Sequence, residues 1–352
     1  MKHVALIFTL LLMSISVCAQ KPSKGQIKQM QAFFAQPAEK EATNAQALGI
    51  TDLNNPNTWT GVTVVDGQIT AIDWKNKKLA GELNLSGFTS LQKVDVSRNK
   101  LTALNLNGDA ALTDLNASRN RLTSLNLNGA TALVNVAINN NRLTDVDITN
   151  ATVLKKFNCS SNYFVSLNMS NSPALETLNC QSNHLEQLNV SGCGKLKNLY
   201  CGYNKLAEIN LLGTVALTNF NCDDNNITNM VLQGLESLST FVCSDNGMQG
   251  LALRDCNRLL DLICSYNDLT SLSVSGCPQL LYVDCSYNDL TQLTLSNQTF
   301  LQRLICNNNQ LNMLDVSFDQ NLTYINCRYN VITDFRDDAC PNLVQVACNW
   351  NF

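Results

Sequence analysis

The stretch Leu259–Gln279, "LLDLICSYNDLTSLSVSGCPQ", is one unit of a tandem array with a period of 21 residues. Its Leu259, Leu262, Cys264, Asn267 and Leu269 read L-x-x-L-x-C-x-x-N-x-L. Ten cysteines recur at this period: Cys159, Cys180, Cys201, Cys222, Cys243, Cys264, Cys285, Cys306, Cys327 and Cys348. Earlier units place Val96, Ala117 and Ile138 in the same slot. One 21-residue unit cannot bury its own apolar side, so the pattern predicts a solenoid of stacked units with a shared core.

An asparagine stands three residues after each of these thirteen positions, and we call this column the ladder asparagines. A buried amide supplies two donors and one acceptor, so we expect each one to satisfy backbone groups where the chain leaves a strand, and to bond along its own column. The ladder asparagines are Asn99, Asn120, Asn141, Asn162, Asn183, Asn204, Asn225, Asn246, Asn267, Asn288, Asn309, Asn330 and Asn351.

Strand geometry follows from the alternation around the cysteine slot. Leu262 and Cys264 are two residues apart and therefore share the core-facing side of a short strand. Asp261, Ile263 and Ser265 are expected on the opposite side. Successive strands should pair in parallel, about 4.8 Å apart, to form a sheet on the concave face of the solenoid.

The second half of each unit carries another apolar set, such as Leu269, Leu272 and Val274. The spacing of these apolar residues ends in an alternation of apolar and polar positions, as in a strand, and does not follow a helical period. We therefore expect a thin back made of short extended segments or turns, with few or no helices, and a gently curved solenoid.

Residues 1–19 have the features of a secretory signal peptide: Lys2, an apolar run from Val4 to Val17, and a small-residue cleavage site before Gln20. Lipid anchoring at Cys18 is the alternative, although Val17 fits poorly in front of a lipidated cysteine. The full chain has 24 basic and 28 acidic residues and a net charge of −4. This balance argues against nucleic acid as a general partner.

Residues 20–90 differ from the array that follows. Ile27, Met30, Phe33 and Phe34 lie at helical spacing and predict a helical cap over the open end of the core, with a partner-binding helix as the alternative. The rest of the segment predicts an irregular first repeat with a hairpin turn at Asp66-Gly67. Residues 91–352 form thirteen 21-residue repeats, whose last strand leaves a pairing edge that favours self-association.

Secretion commonly accompanies disulfide bonds. The cysteines of the repeat slot face the core, however, and stacked side chains point in parallel directions that suit a disulfide dihedral poorly. We expect them to be free, small apolar side chains. Four further cysteines occupy one turn column: Cys193, Cys256, Cys277 and Cys340. Within that column, the neighbouring Cys256 and Cys277 are the best candidates for a disulfide.

The array resembles bacterial leucine-rich repeat proteins, above all the internalin-like class whose 21-residue repeats carry cysteine at the strand position. The resemblance covers residues 91–352 and implies a leucine-rich repeat solenoid, in a secreted or surface protein that binds macromolecular partners with its concave face. Internalins usually carry immunoglobulin-like or wall-anchoring regions downstream, and their N-terminal cap looks different. These differences weaken any transfer of a specific adhesin role.

Catalytic chemistry has little support. Apart from His3, His184 is the only histidine, and it follows a ladder asparagine in a turn. The sequence lacks the usual nucleophile, zinc-protease and phosphate-loop motifs. A linear cysteine column cannot converge four ligands on zinc. The acidic group Asp223, Asp224 and Asp245 is expected to be solvated, with a Ca²⁺ site as the alternative. We predict no enzyme activity, no cofactor and no metal.

Outward positions in the C-terminal half carry aromatic, aliphatic and arginine side chains that the fold does not require. Either they bind a protein or glycan ligand, or the stacked rings only stabilise the sheet. The first interpretation predicts an adhesion or interaction module, and the alternative is a structural envelope or matrix protein that self-associates through its C-terminal edge. The candidate binding residues are Tyr200, Tyr203, Ile263, Tyr266, Tyr282, Tyr287, Arg303, Ile305, Tyr324, Tyr329 and Trp350.

Overall fold

The computed structural model describes residues 22–295, 298–317, 319–338 and 340–351. The predicted signal peptide (residues 1–19), with Cys18, and also Phe352 lie outside these residues. In the described part, each repeat adds one strand to a long front sheet, and most repeats add a short strand to the back. We number the repeats 1 to 13 by their ladder asparagines, Asn99 to Asn351, and call the irregular unit before them unit 0.

Fifteen strands form the front sheet, numbered here in chain order together with those of the back. The first pair is antiparallel, β2 pairs with β4 in parallel at an offset of 22 residues, and the remaining strands pair in parallel with the register of the 21-residue period. The front strands are β1 Val62–Val65, β2 Gln68–Asp73, β4 Lys93–Asp95, β6 Asp114–Asn116, β8 Asn135–Ala137, β9 Lys156–Asn158, β11 Thr177–Asn179, β13 Asn198–Tyr200, β14 Asn219–Asn221, β16 Thr240–Val242, β18 Asp261–Ile263, β20 Tyr282–Asp284, β21 Arg303–Ile305, β23 Tyr324–Asn326 and β25 Gln345–Ala347.

The back consists of four small parallel sheets, which confirms the prediction of a thin back built from extended segments. No helix occurs in repeats 1 to 13 among the residues described. The back strands are β3 Ala80–Asn84, β5 Lys100–Asn105, β7 Ser124–Asn126, β10 Ser166–Asn168, β12 Gln187–Asn189, β15 Asn229–Gln233, β17 Gly250–Arg254, β19 Ser271–Ser275, β22 Met313–Asp315 and β24 Asp334–Arg336.

The helices lie before the array: α1 Lys24–Phe34, α2 Asn44–Leu48 and a short 3-10 helix, Pro56–Thr58. Ser23 begins α1 with a capping box, in which its side chain and that of Gln26 exchange hydrogen bonds with backbone N–H groups. Phe33 stacks on Trp74 of unit 0 with ring centroids 5.5 Å apart. The helix therefore packs against the apolar end of the core.

Unit 0 begins with the hairpin of β1 and β2. Asp66 and Gly67 form the turn with φ values of 49° and 71°. Positive φ at both central residues is what a tight hairpin turn needs, and Asp-Gly supplies it at low steric cost. The hairpin places β2 next to β4, where parallel pairing starts.

The cysteine slot forms a continuous buried column from Val96 to Cys327. All fourteen cysteines of the described residues are free thiols. Burial raises the pKa of Cys180 and of Cys285 to about 12. Cys348 corrects the prediction that every cysteine of the slot faces the core: it is exposed, because no described strand packs on the outer side of β25.

Every ladder asparagine ties its own repeat to the preceding one. In repeat 10, the Asn288 Nδ2 donates to the carbonyl oxygens of Cys264 and Cys285, both at 3.1 Å, while Oδ1 accepts the Leu269 N–H at 3.0 Å. The predicted bonding to backbone groups is thus present. The partners are backbone atoms of two repeats, however, and not neighbouring ladder asparagines as we expected.

Ser265 is a second departure from the strand alternation. It is 7% exposed, whereas Asp261 and Ile263 are half-buried on the concave face. Its hydroxyl lies 3.0 Å from that of Ser244 in the preceding repeat. The strand has already ended at Ile263, so the alternation no longer applies one residue past the cysteine slot.

Candidate ligand-binding surfaces

The concave face is built from the two outward positions of each front strand. In β20, Val283 is buried and its neighbours Tyr282 and Asp284 are half-buried. Strand register aligns these positions in two columns along the sheet. The chemistry of the concave face is therefore set by residues that the core does not constrain.

Three neighbouring strands place Tyr282, Arg303 and Tyr324 in one of these columns. The Arg303 guanidinium carbon lies 4.8 Å from the ring centroid of Tyr324 and 6.0 Å from that of Tyr282. Ile263 and Ile305 flank Asp284 in the second column. We call these five candidate residues, Ile263, Tyr282, Arg303, Ile305 and Tyr324, the concave patch.

Electrostatics inside the concave patch favour a protonated phenol at Tyr282. Burial raises its pKa, and the Asp284 carboxylate, whose Oδ2 accepts a 3.4 Å hydrogen bond from the phenol, adds to the rise. The patch thus presents one fixed cation and two phenols beside two aliphatic side chains, and the adjacent Asp284 adds one carboxylate. Such a mixture suits a partner with both polar and apolar groups.

The other predicted aromatic residues lie on a different surface. Tyr203, Tyr266, Tyr287, Tyr329 and Trp350 each precede a ladder asparagine, where the chain has left the strand, and each is between 43% and 54% exposed. Tyr266 and Tyr287 stack at 4.3 Å between centroids. We call this strip, made of the two residues before and the one residue after each ladder asparagine, the exit edge.

The backbone of the exit edge has a property that the sequence analysis missed. Every residue directly before a ladder asparagine has a positive φ, from 49° at Asp224 to 64° at Trp350. Asparagine and aspartate tolerate this left-handed conformation best among residues with a side chain. Asn140, Asn308, Asp224 and Asp245 in the column were the available signal.

A cavity of about 640 Å³ lies over the N-terminal half of the concave face, from β2 to β13. Its charged lining comprises Asp73, Asp95, Asp114, Lys93 and Lys156. Of the candidate binding residues, only Tyr200 lines it, at its C-terminal end. This cavity was not predicted from the sequence, although three aspartates at outward strand positions marked it.

Hydrogen bonds already engage part of that lining. Asn135 donates to the Asp114 carboxylate at 2.8 Å, and Asn116 donates to Asp95 at 3.2 Å. Carboxylates and amides therefore form fixed pairs across neighbouring strands. They can offer their remaining lone pairs and N–H groups to a hydroxyl-rich or peptide-like ligand.

In the residues described, no group of three or more His, Cys, Asp or Glu side chains is arranged to hold a metal ion. Asp223 has one buried carboxylate oxygen without a hydrogen-bond partner, and burial together with Asp224 raises its pKa. His184 stacks on Tyr163 with ring centroids 5.7 Å apart, at exposed positions after two ladder asparagines. Asp223 and His184 both lie outside the concave patch.

Within the described part of the chain, no helix has the length and apolar character that crossing a bilayer requires. No protein-family model matches the chain, and no curated protein matches its sequence. The similarity of this chain to known proteins is therefore structural.

Solved structures with the same architecture include the functional domain of InlJ from Listeria monocytogenes, which contains a cysteine ladder. It is 26% identical, with a TM-score of 0.61, over 83% of this chain and 71% of that one. The Leptospira interrogans leucine-rich repeat protein LIC12759 is 20% identical, with a TM-score of 0.62, over 82% of each chain. The Listeria monocytogenes internalin InlF is 18% identical, with a TM-score of 0.60, over 97% of this chain and 99% of that one.

Proposed function

We propose that this chain, a leucine-rich repeat solenoid similar to internalin-like proteins with a cysteine ladder, is an interaction module that binds a protein or glycan along its concave face. Leucine-rich repeat relatives support the general role in interaction. The concave patch supports the more specific proposal. The function involves no catalysis and needs no cofactor or resident metal.

The observation that carries this proposal is the placement of Arg303 between Tyr282 and Tyr324. The same column holds Asn198, Asn219 and Thr240 in earlier strands, so neither aromatic nor cationic side chains are required to form the sheet. Tyrosine and arginine dominate the energetics of protein interfaces. A guanidinium held between two rings loses little further conformational freedom when a partner binds.

The competing interpretation is that the stack only stabilises the sheet. A cation–π contact at a partly exposed site contributes about 0.5–1 kcal/mol, so replacing the stack would then lower the free energy of unfolding without affecting any ligand. A binding function predicts the opposite balance, with loss of the ligand and a small change in stability.

The test is a binding screen of the chain against arrays of extracellular proteins and of glycans, performed in parallel with three variants. The concave variant carries Tyr282→Ala, Arg303→Ala and Tyr324→Ala. A matched control carries Asn198→Ala, Asn219→Ala and Thr240→Ala in the same column. The exit-edge variant carries Tyr266→Ala, Tyr287→Ala and Tyr329→Ala.

We expect at least one ligand of the unmodified chain to lose more than tenfold in affinity with the concave variant, and to bind the control normally. Loss in the exit-edge variant alone would move the site off the concave face. A ligand that binds all three variants equally would contradict the assignment. Thermal unfolding of each variant separates a binding defect from a folding defect.

We further propose that the protein acts outside the cytoplasm, as a secreted or cell-surface protein. Support comes from the signal-like residues 1–19. Mass spectrometry of the mature protein tests this: an N-terminus at Gln20 supports secretion, and a lipid-modified Cys18 supports the anchored alternative. An intact Met1 in cell-associated protein would contradict both.

The alternative structural role, self-association through the C-terminal edge, has one feature of its own. The outer side of β25 is unpaired among the described residues, and Val346 is 40% exposed, whereas the matching Ile325 of β23 is buried. If this edge drives assembly, Val346→Lys should abolish oligomers and leave the ligands of the concave patch unchanged. Sedimentation of the variant provides the measurement.

A further inference from the structure

The exit edge is divided into two regions of opposite charge. At the exit-edge positions, unit 0 and repeats 1 to 3 carry cations and no acid. Unit 0 has a further cation, Lys77, in place of a ladder asparagine. Repeats 7 to 10 carry acids and no cation at the same positions. The basic set is Lys75, Lys77, Lys78, Arg98, Lys100, Arg119, Arg121 and Arg142, and the acidic set is Asp223, Asp224, Asp245, Asp268 and Asp289.

These charges face solvent. In the basic set every side chain is exposed except Lys100, which is half-buried, and in the acidic set every side chain is exposed except Asp223, also half-buried. Among the described residues, Lys100 is the only member of either set in an ion pair, with Glu39 at 3.7 Å. The two sets are thus largely unneutralised within the chain.

The two sets are too far apart to neutralise each other within one molecule. Their centres lie seven repeats apart, which is roughly 34 Å at about 4.8 Å per strand. Charges interact weakly beyond the Debye length of about 8 Å at physiological salt. A partner that neutralises both sets must therefore come from outside and must present both signs at the same separation.

We propose that this partner is a second copy of the chain, paired antiparallel along the exit edge. A two-fold axis at repeat 5 places unit 0 opposite repeat 10, repeat 1 opposite 9, repeat 2 opposite 8 and repeat 3 opposite 7. In this register every basic unit faces an acidic one, because both sets span four consecutive units. An isologous interface of this kind is self-complementary and closes as a dimer.

The centre of the pairing has its own chemistry. Repeats 4 to 6 carry little charge at the exit edge, and the axis passes beside the Tyr163–His184 stack, whose rings are 15° from parallel. Tyr203 of repeat 6 lies opposite Tyr163 of the second copy. Aromatic side chains at the centre with charged pairs on both flanks follow the usual layout of a protein interface.

Geometry along the edge is also favourable. Each repeat contributes the same positions, and the left-handed backbone before each ladder asparagine repeats without a break from Arg98 to Trp350. The profile of the edge is therefore uniform. A two-fold rotation about an axis that passes through repeat 5, perpendicular to the long axis of the solenoid, superimposes the two edges because they have the same curvature. The concave patch lies on another face, so the dimer does not depend on the proposed ligand function and leaves that patch accessible.

Sedimentation velocity of the purified chain at about 0.05 M and about 0.5 M salt is the first test, because exposed ion pairs weaken at high ionic strength. We expect a dimer at low salt whose dissociation constant rises at least tenfold at high salt. A chain that stays monomeric in both buffers overturns the proposal. Capture of dextran sulfate by that monomer would assign the basic set to a polyanion instead.

Charge exchange tests the register. The first variant carries Arg119→Asp, Arg121→Glu and Arg142→Glu, and the second carries Asp224→Arg and Asp245→Arg. These choices respect the left-handed positions, since Asp and Arg both occur in that column. Each variant alone should be monomeric, and an equimolar mixture should restore a dimer, because each altered set then faces its altered complement.

A control with Arg254→Glu and Arg258→Glu places the same kind of charge change on the exposed back of the acidic half, and should dimerise like the unmodified chain. A dimer that persists in the first variant overturns the interface. A mixture that remains monomeric overturns the antiparallel register. Unmodified thermal unfolding in each variant shows that loss of the dimer does not arise from misfolding.

Discussion

The Asn225 amide oxygen accepts the backbone N–H of Leu206 at 2.9 Å, so a side chain of repeat 7 completes the backbone of repeat 6. Its Nδ2 donates to the carbonyl oxygens of Cys201 and Cys222, both at 3.1 Å. One buried amide thus satisfies groups in two repeats. Since repeats contact only their neighbours, such bridges contribute directly to the coupling between repeats.

Replacing Asn225 with alanine should leave those backbone groups unsatisfied in a buried turn. We expect a loss of about 3 kcal/mol in the free energy of unfolding, since each buried unpaired group costs about 1–3 kcal/mol. Asn226→Ala is the matched control, because the adjacent Asn226 side chain is exposed. Urea unfolding measures both variants, and equal effects would contradict the bridging role.

Much of the architecture could be predicted from spacing alone. The cysteine slot and ladder asparagines are local patterns, and their period fixes which residues meet across repeats. The candidate site could be predicted only in part. Tyr282 and Tyr266 both looked like outward aromatic residues, yet the first lies on the concave strand and the second on the exit edge. That difference depends on where the strand ends, and the cavity beside Asp95 depends on curvature accumulated over many repeats.

The left-handed column offers a test of backbone strain. Ser182 is exposed and has a φ of 55°. A residue with a Cβ atom is destabilised by about 1–2 kcal/mol in this conformation, and glycine is not. Glycine itself costs roughly 0.5–1 kcal/mol in chain entropy on folding, so the net effect of Ser182→Gly should be a stabilisation of roughly 0.5–1 kcal/mol.

The control for this change is Ser166→Gly, at an exposed position of strand β10. There glycine should destabilise by roughly 0.5–1 kcal/mol, because it gains freedom in the unfolded chain without relieving strain. Chemical denaturation of the two variants gives the comparison. Loss of stability in both would show that the left-handed column carries no strain.

Two buried carboxyl groups should make stability depend on pH. Burial raises the pKa of Asp109 and of Asp319 to about 7, and each has one carboxylate oxygen without a hydrogen-bond partner. The unfolded pKa is near 3.8. Folding therefore favours the protonated form, so its contribution is complete below pH 4 and is lost as the pH rises through 7.

Asp109→Asn and Asp319→Asn should accordingly raise the melting temperature at pH 8 and have little effect at pH 4. The expected gain reaches at most about 4 kcal/mol for each group, at 1.36 kcal/mol per pKa unit. Asp147→Asn is the control: hydrogen bonds from Thr149 lower its pKa, so its replacement should not stabilise at pH 8. Melting curves across this pH range would contradict the argument if all three variants behaved alike.

The cysteines should differ sharply in reactivity, because only a thiolate that reaches solvent attacks an alkylating reagent. Cys348 is exposed, whereas Cys180 and Cys285 are buried with pKa values raised to about 12. In the native protein at pH 8 we expect rapid labelling of Cys348 and slower labelling of the half-buried Cys340. The other cysteines of the repeat slot should not be labelled until the chain unfolds.

Replacing Cys348 with serine should remove the rapid phase of labelling. After unfolding, the number of labelled cysteines per chain should be lower by one. The same experiment decides the state of Cys256 and Cys277. The neighbouring Cys277 thiol lowers the pKa of Cys256, which is the expected relationship between two reduced neighbours. Labelling of both after unfolding without reductant would confirm the free thiols. Labelling of the pair only after reduction would show that the protein isolated from an oxidising compartment carries the disulfide instead.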